Sequence, residues 1–137
     1  MRIALDTNVI SALWSIEPAA SLVSAQLGKF AAKDHLLICA PVYVELMAHP
    51  KTSETFLERF FKDSNIAVEF ETTEQVWKES ARRWARYAER RRRSSGTDAK
   101  RLLVDFLIGT HALFTADRLF TLDKGRYKTD FPDLNLI

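Results

Sequence analysis

A short apolar run, HLLICA at residues 35–40, most limits how this chain can fold. After His35 the run holds no charged side chain, which is typical of a strand buried on both faces of a parallel sheet. Similar strand patterns occur at residues 2–5 (RIAL), 65–70 (NIAVEF), 118–122 (RLFTL) and 134–137 (LNLI). Because helical patterns separate most of these strands, the sequence predicts an α/β domain with a mostly parallel, twisted sheet flanked by helices.

Apolar residues recur at helical spacing between the predicted strands. Shorter helices are predicted to begin near residues 7, 18, 41 and 53. A long helix is predicted from about Thr73, with a buried seam of aromatic and small residues: Trp77, Ala81, Trp84 and Ala88. Asp98 is predicted to cap the helix that follows, which carries the sequence LLVDFLIGTHALF.

Composition and cysteine usage narrow the class of protein. The 137 residues are 47% hydrophobic and 28% charged, so we expect residues 1–137 to form a single domain with a substantial core. Cys39 is the only cysteine, which fits a reducing compartment because no intramolecular disulfide can form. The apolar run after Arg2 stops at Asp6, and no run approaches the roughly 18 apolar residues of a membrane span. We therefore expect a cytoplasmic protein without a membrane partner.

Carboxylates occur where strands are predicted to end. Asp6 follows the first strand, Glu45 lies in the first turns of the helix after HLLICA, and Asp123 follows LFTL. Asp105 lies early in an apolar helix, where an unpaired buried charge would be costly, so it is expected to face a cleft. Ligands of open α/β sheets bind beyond the carboxyl ends of the strands. Four carboxylates from distant segments are therefore expected to meet at one edge of the sheet.

A divalent cation would relieve the mutual repulsion of such carboxylates. Oxygen ligands without nearby Cys or His favour Mg²⁺ or Mn²⁺ over zinc. Such an ion can activate water for attack on a phosphodiester and stabilise the departing oxygen, and two ions about 3.5–4 Å apart could share this work. The pattern thus predicts metal-dependent phosphodiester hydrolysis.

Each carboxylate also has a simpler interpretation. Asp6 could serve only as a helix cap, Glu45 as a partner of the helix dipole, and Asp123 as a turn former before Gly125. Asp105 is the strongest single candidate, since its neighbours in sequence are apolar.

Basic residues concentrate in residues 82–101, although the net charge of the chain is only +2. This stretch is predicted to hold RNA phosphates through Arg82, Arg83, Arg86, Arg90, Arg93 and Arg101. A solvated helix face, or a surface that receives acidic residues of a partner protein, is the alternative. Trp77 and Trp84 are interpreted as core or dimer-interface residues, and His111 as a packed helix residue.

Four segments in order resemble a PIN domain: LDTNVISAL, PVYVELM, VDFLIGTHAL and LFTLD. Their spacing and the chain length are most similar to a VapC-type toxin of type II toxin–antitoxin modules. The resemblance implies a doubly wound α/β/α domain with Mg²⁺- or Mn²⁺-dependent endoribonuclease activity. It also implies a homodimer that a cognate antitoxin inhibits by placing its tail in the acidic cleft.

The resemblance also assigns roles to individual residues. Asp6, Glu45 and Asp105 correspond to the main acidic set and Asp123 to the fourth acid. Asn8 and Thr121 match polar residues that orient such carboxylates or a water, although local backbone hydrogen bonds could also satisfy both. The family often has a second Asp followed by Phe after the last acid, whereas this chain reads TLDKGRY. Gly125 supplies no carboxylate there, which argues against a complete second metal site.

Other functional classes fit less well. A haloacid-dehalogenase-like phosphatase needs a second Asp two positions after Asp6, where this chain has Asn8. A phosphoacceptor receiver domain needs acidic residues just before Asp6, and residues 1–5 contain none. A non-catalytic RNA- or protein-binding PIN-fold protein remains open, and the RNA target is not predicted by the sequence.

Overall fold

The computed structural model describes residues 1–15 and 18–137. Within these ranges a four-stranded, all-parallel sheet has the order β3-β2-β1-β4. Its strands are β1 (Arg2–Leu5), β2 (His35–Cys39), β3 (Ala67–Glu69) and β4 (Arg118–Phe120). The central strand β1 pairs with two neighbours, so Ile3 lies opposite both Leu36 and Arg118. The predicted α/β class with a parallel sheet is confirmed. The predicted last strand is reduced to a parallel bridge between Leu119 and Leu136.

Helices connect the strands and cover the sheet. They are α1 (Thr7–Leu13), α2 (Ala19–Ala31), α3 (Ala40–Met47), α4 (Glu54–Ser64), α5 (Glu74–Arg93), α6 (Leu103–Thr115) and α7 (Gly125–Lys128). Helix α6 is central, since it packs against β1 and β4 as well as α3 and α5. It packs closely against Phe131 at Gly109. A Cβ atom on Gly109 would lie only 2.7 Å from the ring of Phe131.

The start of α6 differs from the prediction. Its first turn is closed by Asp105, whose Oδ2 accepts a hydrogen bond of 3.1 Å from the Leu102 backbone N–H. Asp98 lies outside the helix and receives a hydrogen bond of 3.0 Å from Nε of Arg90. The prediction that Asp98 caps α6 is therefore wrong, because a residue inside the helix already satisfies the backbone donor at its start.

The buried face of α5 also differs from the prediction. It consists of Val76, Ser80, Arg83 and Tyr87. Trp77, expected in the seam, is 51% exposed, and only Trp84 of the predicted aromatic pair packs inward, with its ring 5.2 Å from that of Phe106. The helix can bury the polar side because Ser80 Oγ donates to the Phe106 carbonyl, 3.4 Å away, and because Arg83 is ion-paired.

His111 is buried in α6, as predicted for a packed helix residue. Its Nε2 lies 2.7 Å from Oε2 of Glu69, and the other Glu69 oxygen accepts a hydrogen bond from Arg2. This polar group links α6 to β1 and β3. No helix in the described part of the chain is both long and apolar enough to cross a membrane.

Candidate active site

Asp6 is the most enclosed carboxylate at the carboxyl edge of the sheet, with 2% of the residue exposed. It ends β1 and caps α1, since its Oδ1 accepts a hydrogen bond of 2.7 Å from the Thr7 N–H. Its Oδ2 accepts hydrogen bonds from Thr121 Oγ1 at 2.8 Å and from the Tyr127 hydroxyl at 3.0 Å. Burial raises the pKa of Asp6, and these donors oppose that rise. Asp6 thus caps α1 and in addition accepts hydrogen bonds from two residues near the end of the chain.

Asn8 and Thr121 form a small network that fixes the direction of one proton. Thr121 Oγ1 accepts from Asn8 Nδ2 at 3.3 Å and from the Asp123 N–H at 3.1 Å. Because both neighbours are donors, the Thr121 hydroxyl proton is directed to Asp6. The amide of Asn8 is itself held by the Leu122 N–H, which donates to its Oδ1 at 3.1 Å. The two residues therefore lie where supporting residues of Asp6 were expected.

Glu45 reaches the same region from α3. Its Oε1 accepts a hydrogen bond of 2.5 Å from Oγ1 of Thr7, whose backbone N–H binds Asp6. Burial raises the pKa of Glu45. The hydrogen bond from Thr7 counteracts this rise, while the negative charges of Asp6 and Asp105 add to it. Thr7 thus ties together two carboxylates from different elements, and sequence reasoning did not identify it as a site residue.

Asp105 and Asp123 complete the acidic group, which we call the acidic cluster: Asp6, Glu45, Asp105 and Asp123. Asp105 is 4% exposed, and its Oδ1 lies 3.5 Å from Nη1 of Arg126. The carboxylate of Asp123 is half exposed, and its Oδ2 lies 3.4 Å from Nε of Arg126. The two acids are thus bridged by one guanidinium.

Arg126 and Tyr127 are site residues that sequence reasoning missed. Both belong to the one-turn helix α7. Burial lowers the pKa of Arg126, but the charges of Asp105, Asp123 and Asp6 outweigh that effect and raise it. Burial and the charge of Asp6 raise the pKa of Tyr127, so its hydroxyl remains a donor to Asp6 at neutral pH. The only sequence signal was the position of α7 directly after the last acid.

The donor chemistry of the acidic cluster suits a hard divalent cation. Its ligand atoms are carboxylate oxygens, and Mg²⁺ is commonly bound by one or two carboxylates with several waters. Among residues 1–15 and 18–137, no three His, Cys, Asp or Glu side chains are already arranged around one metal position. The carboxylates are instead separated by hydrogen-bond donors and by Arg126.

Arg83, predicted to contact RNA, is buried in the structure. Arg83 is only 9% exposed, and it donates two hydrogen bonds, of 2.9 and 2.8 Å, to the carboxylate of Asp133. It also lies over the ring of Phe131, 4.8 Å from the centroid. Its guanidinium therefore joins α5 to the C-terminal segment and is not available to a phosphate.

Other basic residues of the 82–101 stretch divide into engaged and exposed groups. Arg90 bridges Asp98 and Asp130, with both contacts at 3.0 Å, and Arg101 donates to the Gly125 carbonyl at 3.3 Å. Of the arginines predicted to bind RNA, the exposed ones are Arg82, Arg86 and Arg93, whose side chains keep 60%, 68% and 80% of their surface accessible. Intrahelical ion pairs with Glu79 and Glu89 hold this group loosely.

An apolar groove of about 590 Å³ borders the acidic cluster at Glu45. Exposed Val44, Phe70 and Trp77 contribute to its walls. Trp77 thus lies on a surface of this chain and not in its core.

Solved structures provide an independent comparison of the fold. The chain is similar to a structure of VapBC2 from Rickettsia felis bound to a DNA fragment from their promoter, with a TM-score of 0.71 and 18% identity over 100% of this chain and 98% of that chain. It is also similar to a structure of VapBC-1 from nontypeable Haemophilus influenzae, with a TM-score of 0.67 and 20% identity over 100% and 97% of the two chains. The two TM-scores establish a shared fold, and at such low identities the likeness shows the fold alone.

Sequence comparison identifies the family. No curated protein matches the sequence significantly. The model of the PIN domain family matches residues 3–132, which is nearly the whole chain. It runs from within β1 to beyond α7, and so includes every residue of the acidic cluster. The chain belongs to the PIN domain family.

Proposed function

We propose that this protein is a metal-dependent endoribonuclease and the toxin of a type II toxin–antitoxin pair. The observation that carries the proposal is the link made by Thr7, which donates to both Asp6 and Glu45. Asp105 lies close enough for its charge to raise the pKa of Glu45. Acidic side chains from the end of β1, from α3 and from α6 thus converge in a PIN domain, and VapC-type proteins with this domain are typically nucleases.

The acidic cluster is proposed to hold Mg²⁺ or Mn²⁺ through Asp6, Glu45, Asp105 and Asp123. A divalent cation supplies an activated water and stabilises the charge on the departing oxygen. Thr121 and Asn8 favour the ionised form of Asp6 and orient it, because they direct a hydroxyl proton at its Oδ2. Thr7 orients Glu45 and opposes the rise in its pKa.

The RNA backbone is proposed to bind the exposed arginines of α5. Arg82, Arg86 and Arg93 offer accessible positive charge, and phosphate contacts of this kind supply affinity without sequence selection. Arg90 and Arg101 are partly engaged in contacts to Asp130 and Gly125. They are proposed as secondary contacts beside α7.

The partners proposed for the chain are a cognate antitoxin and a second copy of itself. Both similar structures are named as VapBC assemblies, which supports an antitoxin partner. The exposed side chains of Trp77 and Phe70 supply apolar surface that an assembly would cover. A cytoplasmic location fits such a pair. The competing proposal is a PIN-fold protein that binds RNA or protein without cleaving it.

A cleavage experiment separates these proposals. The purified chain, free of partner, is incubated with mixed tRNA and ribosomal RNA in Mg²⁺, in Mn²⁺ and in EDTA. Asp105→Asn is the test variant, because asparagine can still accept the Leu102 N–H. Asp63→Asn, which alters an exposed acid on α4, is the matched control. The endonuclease proposal predicts metal-dependent cutting by the parent and by Asp63→Asn. It predicts that Asp105→Asn has lost this activity.

Calorimetric titration with Mn²⁺ resolves a negative cleavage result. A chain that binds Mn²⁺ but cuts no RNA, including total RNA from cells, fits the binding-protein alternative. A chain that neither cuts nor binds a divalent ion contradicts the proposed active site altogether.

A further inference from the structure

The guanidinium of Arg126 meets one carboxylate oxygen on Asp105 and one on Asp123 that bind no backbone N–H. In Asp105, Oδ2 is already bound by the Leu102 N–H, and Oδ1 is the oxygen that meets Nη1 of Arg126. In Asp123, Oδ1 is already bound by the Arg126 backbone N–H, and Oδ2 is the oxygen that meets Nε. The guanidinium therefore lies on the two oxygens of Asp105 and Asp123 that the backbone leaves free for another ligand.

The position of Arg126 is held by its backbone and not by its guanidinium. Helix α7 begins directly after Asp123 and Lys124. Tyr127, the residue after Arg126, is completely buried, and its hydroxyl donates a hydrogen bond to Asp6. The Arg126 side chain itself remains 36% exposed, and its ion pairs of 3.4 and 3.5 Å are longer than an optimal charge-assisted hydrogen bond. The guanidinium can thus swing toward solvent while α7 stays in place.

Charge also favours the guanidinium where it lies. The charges of Asp6 and Asp105 raise the energy of ionised Glu45, so the collected acids repel one another. In the described ranges, Arg126 is the basic side chain ion-paired with members of this cluster. It offsets part of their repulsion, as a bound metal would.

We propose that Arg126 is an internal counter-cation that competes with a divalent ion for Asp105 and Asp123. Metal binding to these acids requires Arg126 to leave both carboxylates. Because two cations cannot share the same carboxylate oxygens at close range, occupancy by one weakens the other. The metal affinity of the site is therefore set below what its carboxylates alone would provide. This inference rests on the proposed function, which places the metal at these acids.

The test is calorimetric titration of Mn²⁺ into the parent chain, Arg126→Gln and Arg126→Lys, in the absence of RNA. Arg126→Gln should bind Mn²⁺ about 5-fold more tightly or better. Arg126→Lys, which keeps the charge but loses the planar fork, should fall between the two. Lys124→Gln is the matched control, because it removes the same charge from the same segment but from a residue with no ion pair in the described structure. It should change the affinity by less than about 2-fold.

A second readout comes from thermal unfolding with and without Mn²⁺. Because a ligand stabilises by an amount that grows with its affinity, the rise in melting temperature on adding Mn²⁺ should be larger in Arg126→Gln than in the parent. Circular dichroism confirms that each variant is folded.

Three results overturn the inference. If folded Arg126→Gln binds Mn²⁺ no better than the parent, Arg126 does not compete with the metal, although the proposed metal site itself stands. If Lys124→Gln binds Mn²⁺ more tightly by the same factor, the effect comes from the net charge of the segment and not from the position of Arg126. Absence of Mn²⁺ binding in every variant refutes the competition together with the metal-dependent function on which it rests.

Discussion

The hydroxyl of Tyr127 donates a hydrogen bond of 3.0 Å to Oδ2 of Asp6, which joins the last helix of the chain to the end of its first strand. The bond is buried at both ends, so its loss leaves a carboxylate oxygen with one donor fewer in an enclosed site. The hydrogen bond lowers the pKa of Asp6 against the effect of burial. The hydrogen bond from α7 thus favours the ionised form of Asp6.

Tyr127→Phe should therefore reduce cleavage and shift its pH dependence. Without the donor the pKa of Asp6 rises further, so the acidic limb of the activity profile should move to higher pH. Activity near neutral pH should fall about 10-fold, and the free energy of unfolding by about 1 kcal/mol. Cleavage rates from pH 5 to 8 and urea denaturation measure the two effects. Tyr43→Phe on α3 is the control, and an unshifted profile in Tyr127→Phe would contradict the role of this bond.

Glu45 should make the metal-free protein less stable as pH rises. Its pKa is raised on folding, so folded Glu45 keeps its proton at pH values where the unfolded chain, with a glutamate pKa of about 4.3, has lost it. The folded state binds more protons in that window, and stability consequently falls as pH increases through it. Glu45→Gln removes the titration while its amide oxygen can still accept from Thr7.

In EDTA at pH 7, Glu45→Gln should be more stable than the parent by about 0.5 kcal/mol, after allowance for solvent screening. The difference should vanish near pH 4. Urea denaturation across this range is the measurement, with Glu58→Gln on the exposed side of α4 as the control. A variant that is less stable than the parent at pH 7 would show that repulsion does not dominate at Glu45.

Two arginines one turn apart on α5 should behave oppositely. Arg83 is buried and doubly bound to Asp133, so Arg83→Ala should lower the free energy of unfolding by about 2–3 kcal/mol. Arg86 is exposed, so Arg86→Ala should change stability by less than about 0.5 kcal/mol. If α5 contacts phosphate, Arg86→Ala should also weaken RNA binding and reduce its salt dependence by about one ion. Equal losses of stability in both variants would refute the division of the basic stretch.

The acidic cluster could be predicted from the sequence because it follows from local rules. Acids placed after predicted strands, or alone in an apolar helix, must converge at the carboxyl edge of a parallel sheet. The contacts made by Arg126 and Tyr127 could not be predicted from the sequence, because they depend on how a single helical turn folds back across the domain. The partner of Tyr127, for example, is Asp6, at the other end of the sequence.

The buried face of α5 was mispredicted for a related reason. The expected seam of Trp77, Ala81, Trp84 and Ala88 and the observed one beginning at Val76 have the same spacing and differ by one residue. Hydrophobicity favours the first, because the second contains Arg83. Arg83 can be buried because the distant Asp133 binds it at two positions, in addition to Glu79 one turn before it on the same helix. A helical period therefore could not distinguish the two faces.

The contact between α6 and the C-terminal segment gives the final prediction. Gly109→Ala should destabilise the protein by about 1–3 kcal/mol, because the new methyl group would lie 2.7 Å from the Phe131 ring, which is itself buried and cannot move freely. Gly28→Ala, inside α2 with no atom within 4 Å of the added carbon, is the matched control and should be neutral or stabilising by up to about 1 kcal/mol. Thermal and urea unfolding of both variants provide the measurement. If Gly109→Ala were as stable as Gly28→Ala, α6 could not be packed as closely on the Phe131 ring as the structure shows.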